Sequence, residues 1–297
     1  MTNSNVARSK MPLWRWILLF IFGTIFFHLL YFFMNASGTL SNNFLLKESL
    51  IVLSSIFILS IYVGFIKLFE KRKVTELNLR KSATGMGIGF GIGLLLITLY
   101  VGIISLFGYY DIISVDFNLQ NLSLVLCSTF FVAVGEEVIF RGVIFRMLDE
   151  RFGLWIALLI SSLLFGFGHI FGSNATILSS IFITIEAGVL LGVAYKYFNS
   201  LWIPIGIHWS WNFACGNIFG MPVSGTEEWY SVISSEVSGP DIISGGSYGP
   251  EASIILAVLG LSIAIFLLKQ NSRTLERPRN QSSSQYKAVG TKIQHKY

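Results

Sequence analysis

Long apolar stretches recur along the whole chain, and short polar segments separate them. About 20 apolar residues in helical conformation cross roughly 30 Å of hydrocarbon, and a helix satisfies its backbone hydrogen bonds internally. The pattern therefore predicts an all-α fold, a polytopic membrane helical bundle of about eight transmembrane helices. The predicted spans are 13–34, 49–69, 83–107, 122–148, 154–171, 177–198, one that begins at 201, and 252–268.

The composition agrees with a membrane protein. Of the 297 residues, 53% are hydrophobic and only 12% are charged, and the mean hydropathy is +0.67. These values exclude an ordinary soluble domain. The net charge of +5 does not indicate a nucleic-acid partner, because the basic residues lie mainly beside the apolar stretches, as they do in membrane proteins.

The distribution of lysine and arginine predicts the orientation. Basic residues cluster at 71–73 and 80–81, whereas the long segment 221–250 contains acidic residues but neither Lys nor Arg. Because basic loops tend to stay in the cytoplasm, we expect both termini to be cytoplasmic and 221–250 to be extracytoplasmic. A bacterial plasma membrane is the expected location. The basic tail 271–297 is predicted to be disordered, either solvated or at the lipid surface.

The third span carries glycines at a helical spacing. Gly85, Gly89 and Gly93 fall on one face of a helix, a pattern of small residues that allows two helices to pack closely in lipid. No strand precedes this segment, so a dinucleotide-binding loop is not favoured. We expect a close helix–helix contact here.

The fourth span contains two adjacent carboxylates and an arginine, which is a costly composition for a lipid-embedded helix. Glu137 and Arg141 are four residues apart and share a helical face, where an ion pair is expected. Glu136 lies about 100° away around the helix, so its side chain is expected to point into a cavity. A buried carboxyl that lacks a cationic partner is suited to acid–base chemistry. The alternative is a neutralised network that only holds helices together.

Two histidines and an asparagine follow in later spans. His208 and Asn212 are four residues apart and predict a pair of hydrogen-bond donors for an oxygen that gains negative charge. Together with Glu136 and His169, they are suited to peptide hydrolysis by an activated water. Glu136, His169 and His208 would also suit zinc, although no HExxH motif is present. Glu186 is a further acid within a span, expected to line the same cavity or to pair with Trp211 or Tyr195.

Three motifs occur in order within hydrophobic spans: Glu136-Glu137-x-x-x-Arg141, Phe165-x-x-x-His169 and His208-x-x-x-Asn212. This arrangement resembles the CPBP family, which includes the CAAX proteases and the bacteriocin-processing (Abi) intramembrane proteases. The segments 187–192 and 201–208 also look like that family. The resemblance covers about residues 120–220, which would form a catalytic core of four helices. Residues 1–119 would add three spans, and 221–270 a loop and the last span.

The resemblance implies a role for each motif. Glu136 would activate a water together with His169, while His208 and Asn212 would stabilise the oxyanion. Glu137 and Arg141 would support the motif helix, and Phe165 would pack in the cavity. The family is often described as metalloproteases, so a zinc site stays open beside a glutamate-activated water without a metal.

The implied partners are membrane lipid and a membrane-associated peptide or a lipidated, CAAX-type or bacteriocin-like substrate. A different class of function is also open. It is a non-catalytic membrane protein, either a bacteriocin-immunity factor or a transporter-like protein that uses the same buried polar groups.

Overall fold

The computed structural model describes residues 11–36, 40 and 43–276, with side chains described as far as residue 270. Most of the predicted tail therefore lies outside the described residues. Its first part does not match the prediction, because the last helix continues to Glu276 instead of ending near 268.

Helices account for most of the described chain. Their bounds are Leu13–Asn35 (α1), Phe44–Phe65 (α2), Ser82–Leu106 (α3), Leu119–Glu137 (α4), Arg146–Phe152 (α5), Leu154–Gly168 (α6), Ile177–Ile183 (α7), Leu190–Phe198 (α8), Trp202–Asn212 (α9), Asp241–Ser244 (α10) and Ile254–Glu276 (α11). Four of them continue as π-helical turns: Ile66–Glu70 after α2, Val138–Phe145 after α4, Thr184–Val189 after α7 and Phe213–Ile218 after α9.

Six helical segments of the described chain are long and apolar enough to cross a membrane: Leu13–Asn35, Phe44–Glu70, Leu79–Leu106, Leu119–Phe152, Leu154–Phe171 and Ile177–Phe198. Ile254–Gln270 is a shorter apolar helix, and α9 with its π-helical turn ends at Ile218. The predicted polytopic helical bundle is thus confirmed, but the count of eight spans is not. The second helix also begins at Phe44, five residues before the predicted start, where Asn43 caps it by accepting a hydrogen bond from the Leu46 N–H.

A small antiparallel sheet departs from the all-helical expectation. Strands Tyr110–Val115 (β1) and Ile233–Val237 (β2) pair with Tyr110 opposite Val237. Both strands lie in segments predicted to be loops. Strands of six and five residues give a weak local pattern, and their pairing joins parts of the chain far apart in sequence.

The 221–250 segment is also more ordered than a loop. It contains β2, the short helix α10 and a 3₁₀ turn at Gly246–Tyr248, and it leads into a second 3₁₀ turn at Pro250–Ala252. Hydrogen bonds connect its parts, including Gly225 N–H to the Tyr248 carbonyl at 2.8 Å. The segment therefore packs on the helices as a structured cap.

Helices α3 and α9 approach each other along the predicted glycine face. A Cβ on Gly89 would clash with the Ile203 carbonyl oxygen, and a Cβ on Gly93 would clash with that of Ile207. A Cβ on Gly206 would lie 2.5 Å from the Met86 carbonyl oxygen. The expected close helix–helix contact is confirmed, and its partner is the helix that carries His208.

A charged network joins the basic segment after α2 to the end of the fourth span. Arg72 contacts Glu76 at 2.5 Å and Glu70 at 2.9 Å, and Arg146 contacts Glu70 at 2.5 Å. Burial alone would raise the pKa of Glu76, but the hydrogen bond and charge of Arg72 lower it to about 2. The basic segment 71–73 and the end of the fourth span therefore meet at one end of the bundle.

Candidate active site

Glu137, Arg141 and His208 form a buried, hydrogen-bonded group between α4 and α9. Arg141 Nη1 donates to Glu137 Oε1 at 2.8 Å, so the expected ion pair is present. His208 Nδ1 donates to the same oxygen at 2.9 Å. Because Glu137 and Arg141 are almost fully inaccessible, with 0% and 1% exposure, each needs the other to offset its desolvation. Glu137 thus contacts two site residues and does more than hold its own helix.

Arg141 also joins the motif helix to two other elements. Its Nη2 donates to the carbonyl oxygens of Ala187 and Gly188 at 3.1 and 3.2 Å. Both acceptors lie in the π-helical turn after α7, and π-helical turns are frequent at functional sites. The guanidinium carbon lies 4.5 Å from the centre of the Phe165 ring, within the range of a cation–π contact.

Glu136 occupies a different environment from its neighbour. Its Oε2 lies 3.9 Å from His208 Nε2, too far for a direct hydrogen bond. Among the described residues this buried oxygen has no hydrogen-bond partner. The Tyr31 ring of α1 packs against the preceding residue, Gly135, where a Cβ would clash with that ring. Glu136 therefore offers a carboxylate oxygen to a further donor.

His169 lies at the junction of α6 and a 3₁₀ turn, His169–Phe171. Its Nδ1 donates to the Phe165 carbonyl at 2.7 Å, which leaves Nε2 as an acceptor in the neutral ring. The Phe165 ring centre is 5.0 Å from that of His169 and 6.1 Å from that of His208. Phe165 thus contacts both histidines, as expected for a residue that packs in the cavity.

A small cavity of about 20 Å³ is lined by His169, His208 and Asn212. A space of this size, with these three polar side chains on its wall, has room for about one water molecule. Its remaining lining residues include the polar side chains of Ser224 and Glu251 and several apolar residues of α7, α8 and α9. The structure therefore brings the second and third predicted motifs to one cavity. Glu136 is not among the residues that line it and is connected to it through His208, 3.9 Å away.

Glu186 does not have the predicted partner. It is fully buried in the π-helical turn after α7, and neither carboxyl oxygen has a hydrogen-bond partner among the described residues. The Trp211 Nε1–H donates instead to Glu251 Oε1 at 3.2 Å. Glu186 is also absent from the residues that line the cavity. Its backbone lies against α11, where a Cβ on Gly260 would be 3.2 Å from the Glu186 Cα.

Ser224 and Glu251 are site residues that the sequence did not indicate. Ser224 belongs to the cap and Glu251 to the 3₁₀ turn that follows it, and neither lies in a helical motif or at a spacing related to His169 or His208. Glu251 directly precedes the last apolar stretch, where an acidic residue is ordinarily read as the polar end of a span. Only the fold places it beside Trp211.

The residues suggested for zinc do not form a ligand set. No group of three or more His, Cys, Asp and Glu side chains that could hold a metal ion occurs among residues 11–36, 40 and 43–270. The arrangement of these side chains therefore does not fit the three or four ligands that zinc requires.

These features define a helical membrane protein with a buried glutamate–histidine site at a cavity the size of one water. A family model described as Rce1-like, type II CAAX prenyl endopeptidase, matches residues 118–214. The resemblance to the CPBP family of CAAX proteases is thereby confirmed over α4 to α9, about a third of the chain. Neither the curated proteins nor the solved structures include a match to this chain.

Proposed function

We propose that this protein is an intramembrane endopeptidase of the CAAX type. In this proposal it hydrolyses a peptide bond of a membrane-associated or prenylated substrate with a water activated by Glu136. The observation that carries the proposal is the buried Glu136 Oε2, which has no hydrogen-bond partner among the described residues and lies 3.9 Å from His208 Nε2. His208 in turn lines a cavity with room for about one water together with His169 and Asn212. The family match supports the reaction class.

In the proposed reaction, Glu136 takes a proton from the water while the water oxygen bonds to the carbonyl carbon of the substrate. His169, with Nε2 free to accept, helps to hold that water. The carbonyl oxygen gains negative charge, which Asn212 and His208 stabilise by donating hydrogen bonds. Glu136 then passes its proton to the leaving nitrogen as the C–N bond breaks, giving a carboxylic acid and an amine.

The contact between His208 and Glu137 sets a condition on this role. Because a carboxylate oxygen only accepts, Nδ1 of His208 carries a proton. Nε2 can therefore donate to the oxyanion only when the ring holds a second proton. Glu137 lies where it compensates that positive charge, as a carboxylate does for a catalytic imidazolium in serine proteases.

We also propose the predicted orientation, with the Arg72–Glu76 network on the cytoplasmic side and the cap outside. The contacts that join the basic segment 71–73 to Arg146 at the end of the fourth span support it. Reaction of a cysteine introduced at the exposed Glu236 with an impermeant thiol reagent added to intact cells would support this orientation; reaction only after lysis would contradict it.

The function is tested with the purified protein in lipid vesicles and a farnesylated peptide that ends in a CAAX sequence. We expect Glu136→Ala and Glu136→Gln to reduce cleavage by about 10²–10⁴-fold, the usual contribution of a general base. Glu150→Gln is the matched control, since Glu150 is 55% exposed at the end of α5. Activity retained in Glu136→Gln would defeat the proposal.

Chelation separates the two hydrolytic chemistries. We expect full activity after dialysis against a chelator, because the described residues supply no ligand set for a metal. Loss of cleavage after chelation, followed by recovery when zinc is added, would indicate that the attacking water is bound to a metal and is not activated by the glutamate alone.

A further inference from the structure

The cap and the turn that follows it contribute part of the cavity wall. Ser224 and Glu251 line the same cavity as His169, His208 and Asn212, although both lie beyond the residues that match the family model. Glu251 is only 6% exposed. The cavity is therefore incomplete without a segment from outside the matched core.

Glu251 accepts three hydrogen bonds, one from α9 and two from the cap. Its Oε1 accepts from Trp211 Nε1 at 3.2 Å, and its Oε2 accepts from Ser224 N–H at 2.6 Å and Ser224 Oγ at 2.7 Å. Trp211 directly precedes Asn212, and both line the cavity. The Glu251 carboxylate thus holds both Trp211, the neighbour of Asn212, and Ser224 of the cap.

The backbone at Ser224 needs this support. Its φ of +49° lies in the left-handed region, which a residue other than glycine adopts at a cost. Two donors of the same residue bond to Glu251, and the neighbouring Gly225 N–H bonds to the Tyr248 carbonyl. The turn is therefore held in place by the residues that precede α11.

We propose that Glu251 is a positioning residue of the hydrolytic site, which fixes Trp211 and the Ser224 turn and so keeps the cavity wall closed around the water. The inference rests on the proposed peptidase function for its kinetic consequence. Its structural consequence, a loosened wall at α9, is measurable without any activity.

The kinetic test compares Glu251→Gln with Glu227→Gln, which removes a charge from an exposed position of the cap. With the farnesylated peptide, we expect Glu251→Gln to lower kcat by about 10–10²-fold at nearly unchanged KM, the effect of misplaced site groups. Glu227→Gln should match the wild type. A raised KM at full kcat would instead mark Glu251 as a substrate-binding residue and overturn the positioning role.

A double-mutant cycle with Trp211→Phe separates positioning from general destabilisation. Phe keeps an aromatic ring but removes the Nε1–H donor to Glu251. If Glu251 acts through Trp211, Glu251→Gln should cost much less in the Trp211→Phe background. Additive losses would show that Trp211 does not carry the effect. Ser224→Ala, which removes only one of the three donors, is the milder variant should Glu251→Gln fail to fold.

A native thiol reports on the same wall without catalysis. Cys215 is fully buried and its Sγ donates to the Pro222 carbonyl of the cap at 3.4 Å. With the second cysteine, Cys127, replaced by serine, we expect N-ethylmaleimide to label Cys215 at least about tenfold faster in Glu251→Gln than in the parent or in Glu227→Gln. Labelling should also be faster in Ser224→Ala, which weakens the same turn but keeps the charge of Glu251 near the thiol. Equal labelling rates would contradict the inference. If the protein cleaves no farnesylated peptide, the peptidase proposal fails while this measurement still decides the role of Glu251.

Discussion

Three glutamates of the bundle differ in what surrounds them, although their sequence contexts are alike. Glu137 accepts hydrogen bonds from Arg141 and His208. Among the described residues, one buried carboxyl oxygen of Glu136 and both carboxyl oxygens of Glu186 have no hydrogen-bond partner. Helical spacing was sufficient to predict the Glu137–Arg141 pair, because the two residues follow each other along one continuous helical span. The His208 contact and the isolation of Glu186 depend on which helices are neighbours, and spacing contains no such information.

Because Glu137 and Glu186 differ in their hydrogen-bond partners, we expect their replacement to change the stability of the protein in opposite directions. Both residues are fully buried. Glu137→Met leaves Arg141 and His208 without their carboxylate, so we expect it to destabilise the protein by about 3–5 kcal/mol. Glu186→Met removes a carboxyl that has no hydrogen-bond partner among the described residues and should stabilise the protein by about 1–3 kcal/mol. Thermal unfolding in detergent measures both. A destabilising Glu186→Met would indicate that Glu186 has a partner that pairs it in the native state.

At the scale of elements, α3 positions the helix that carries the third motif. The glycine spacing predicted a close contact but not its partner, since small residues on one helix do not specify the opposite surface. The π-helical turns after α4, α7 and α9 were not predicted at all. They begin directly after Glu137, include Glu186 and begin directly after Asn212, respectively, and they have no sequence signature comparable to a cap.

The glycine contact leads to a matched pair of variants on α3. Gly89→Ala would place a methyl group against the Ile203 carbonyl, which forces α9 and therefore His208 to move. We expect cleavage of the farnesylated peptide to fall about 10²-fold, the cost of a displacement near 1 Å. Gly91→Ala adds the same methyl group where no other atom of the described residues lies within 4 Å and should retain activity. Equal activities of the two variants would show that this contact does not position His208.

At the scale of the whole molecule, apolar stretches were enough to predict a membrane bundle, because about 20 apolar residues in a row have few other structures available. The predicted number of transmembrane helices was less secure, because α9 and Ile254–Gln270 are short apolar helices late in the chain. The cap was missed because its order comes from contacts between distant segments, such as β1 with β2. Consequently the sequence identified the core motifs but not the wall that completes their cavity.

The charged network at the other end of the bundle predicts how stability responds to acid. The pKa of Glu76 is lowered from 4.5 to about 2, so its stabilisation is complete above about pH 4.5 and is lost as the pH falls towards 2. A displacement of this size in a buried group is worth on the order of 3 kcal/mol. We expect Glu76→Gln to be less stable than the wild type at pH 7 and nearly equal to it at pH 2. The free energy of unfolding of both proteins at pH 7 and pH 2 tests this, and Glu236→Gln, at an exposed position, is the control. The same difference in stability between Glu76→Gln and the wild type at both pH values would contradict the prediction.

A cavity with room for about one water molecule also limits the supply of a reactant. In the proposed hydrolysis each turnover consumes one water, and a space of about 20 Å³ is too small for a reserve of them. Water is then a co-substrate that must bind anew in every cycle, from a membrane interior in which it is scarce. The enzyme would thus need two routes into its site, one for the membrane-associated substrate and one for water.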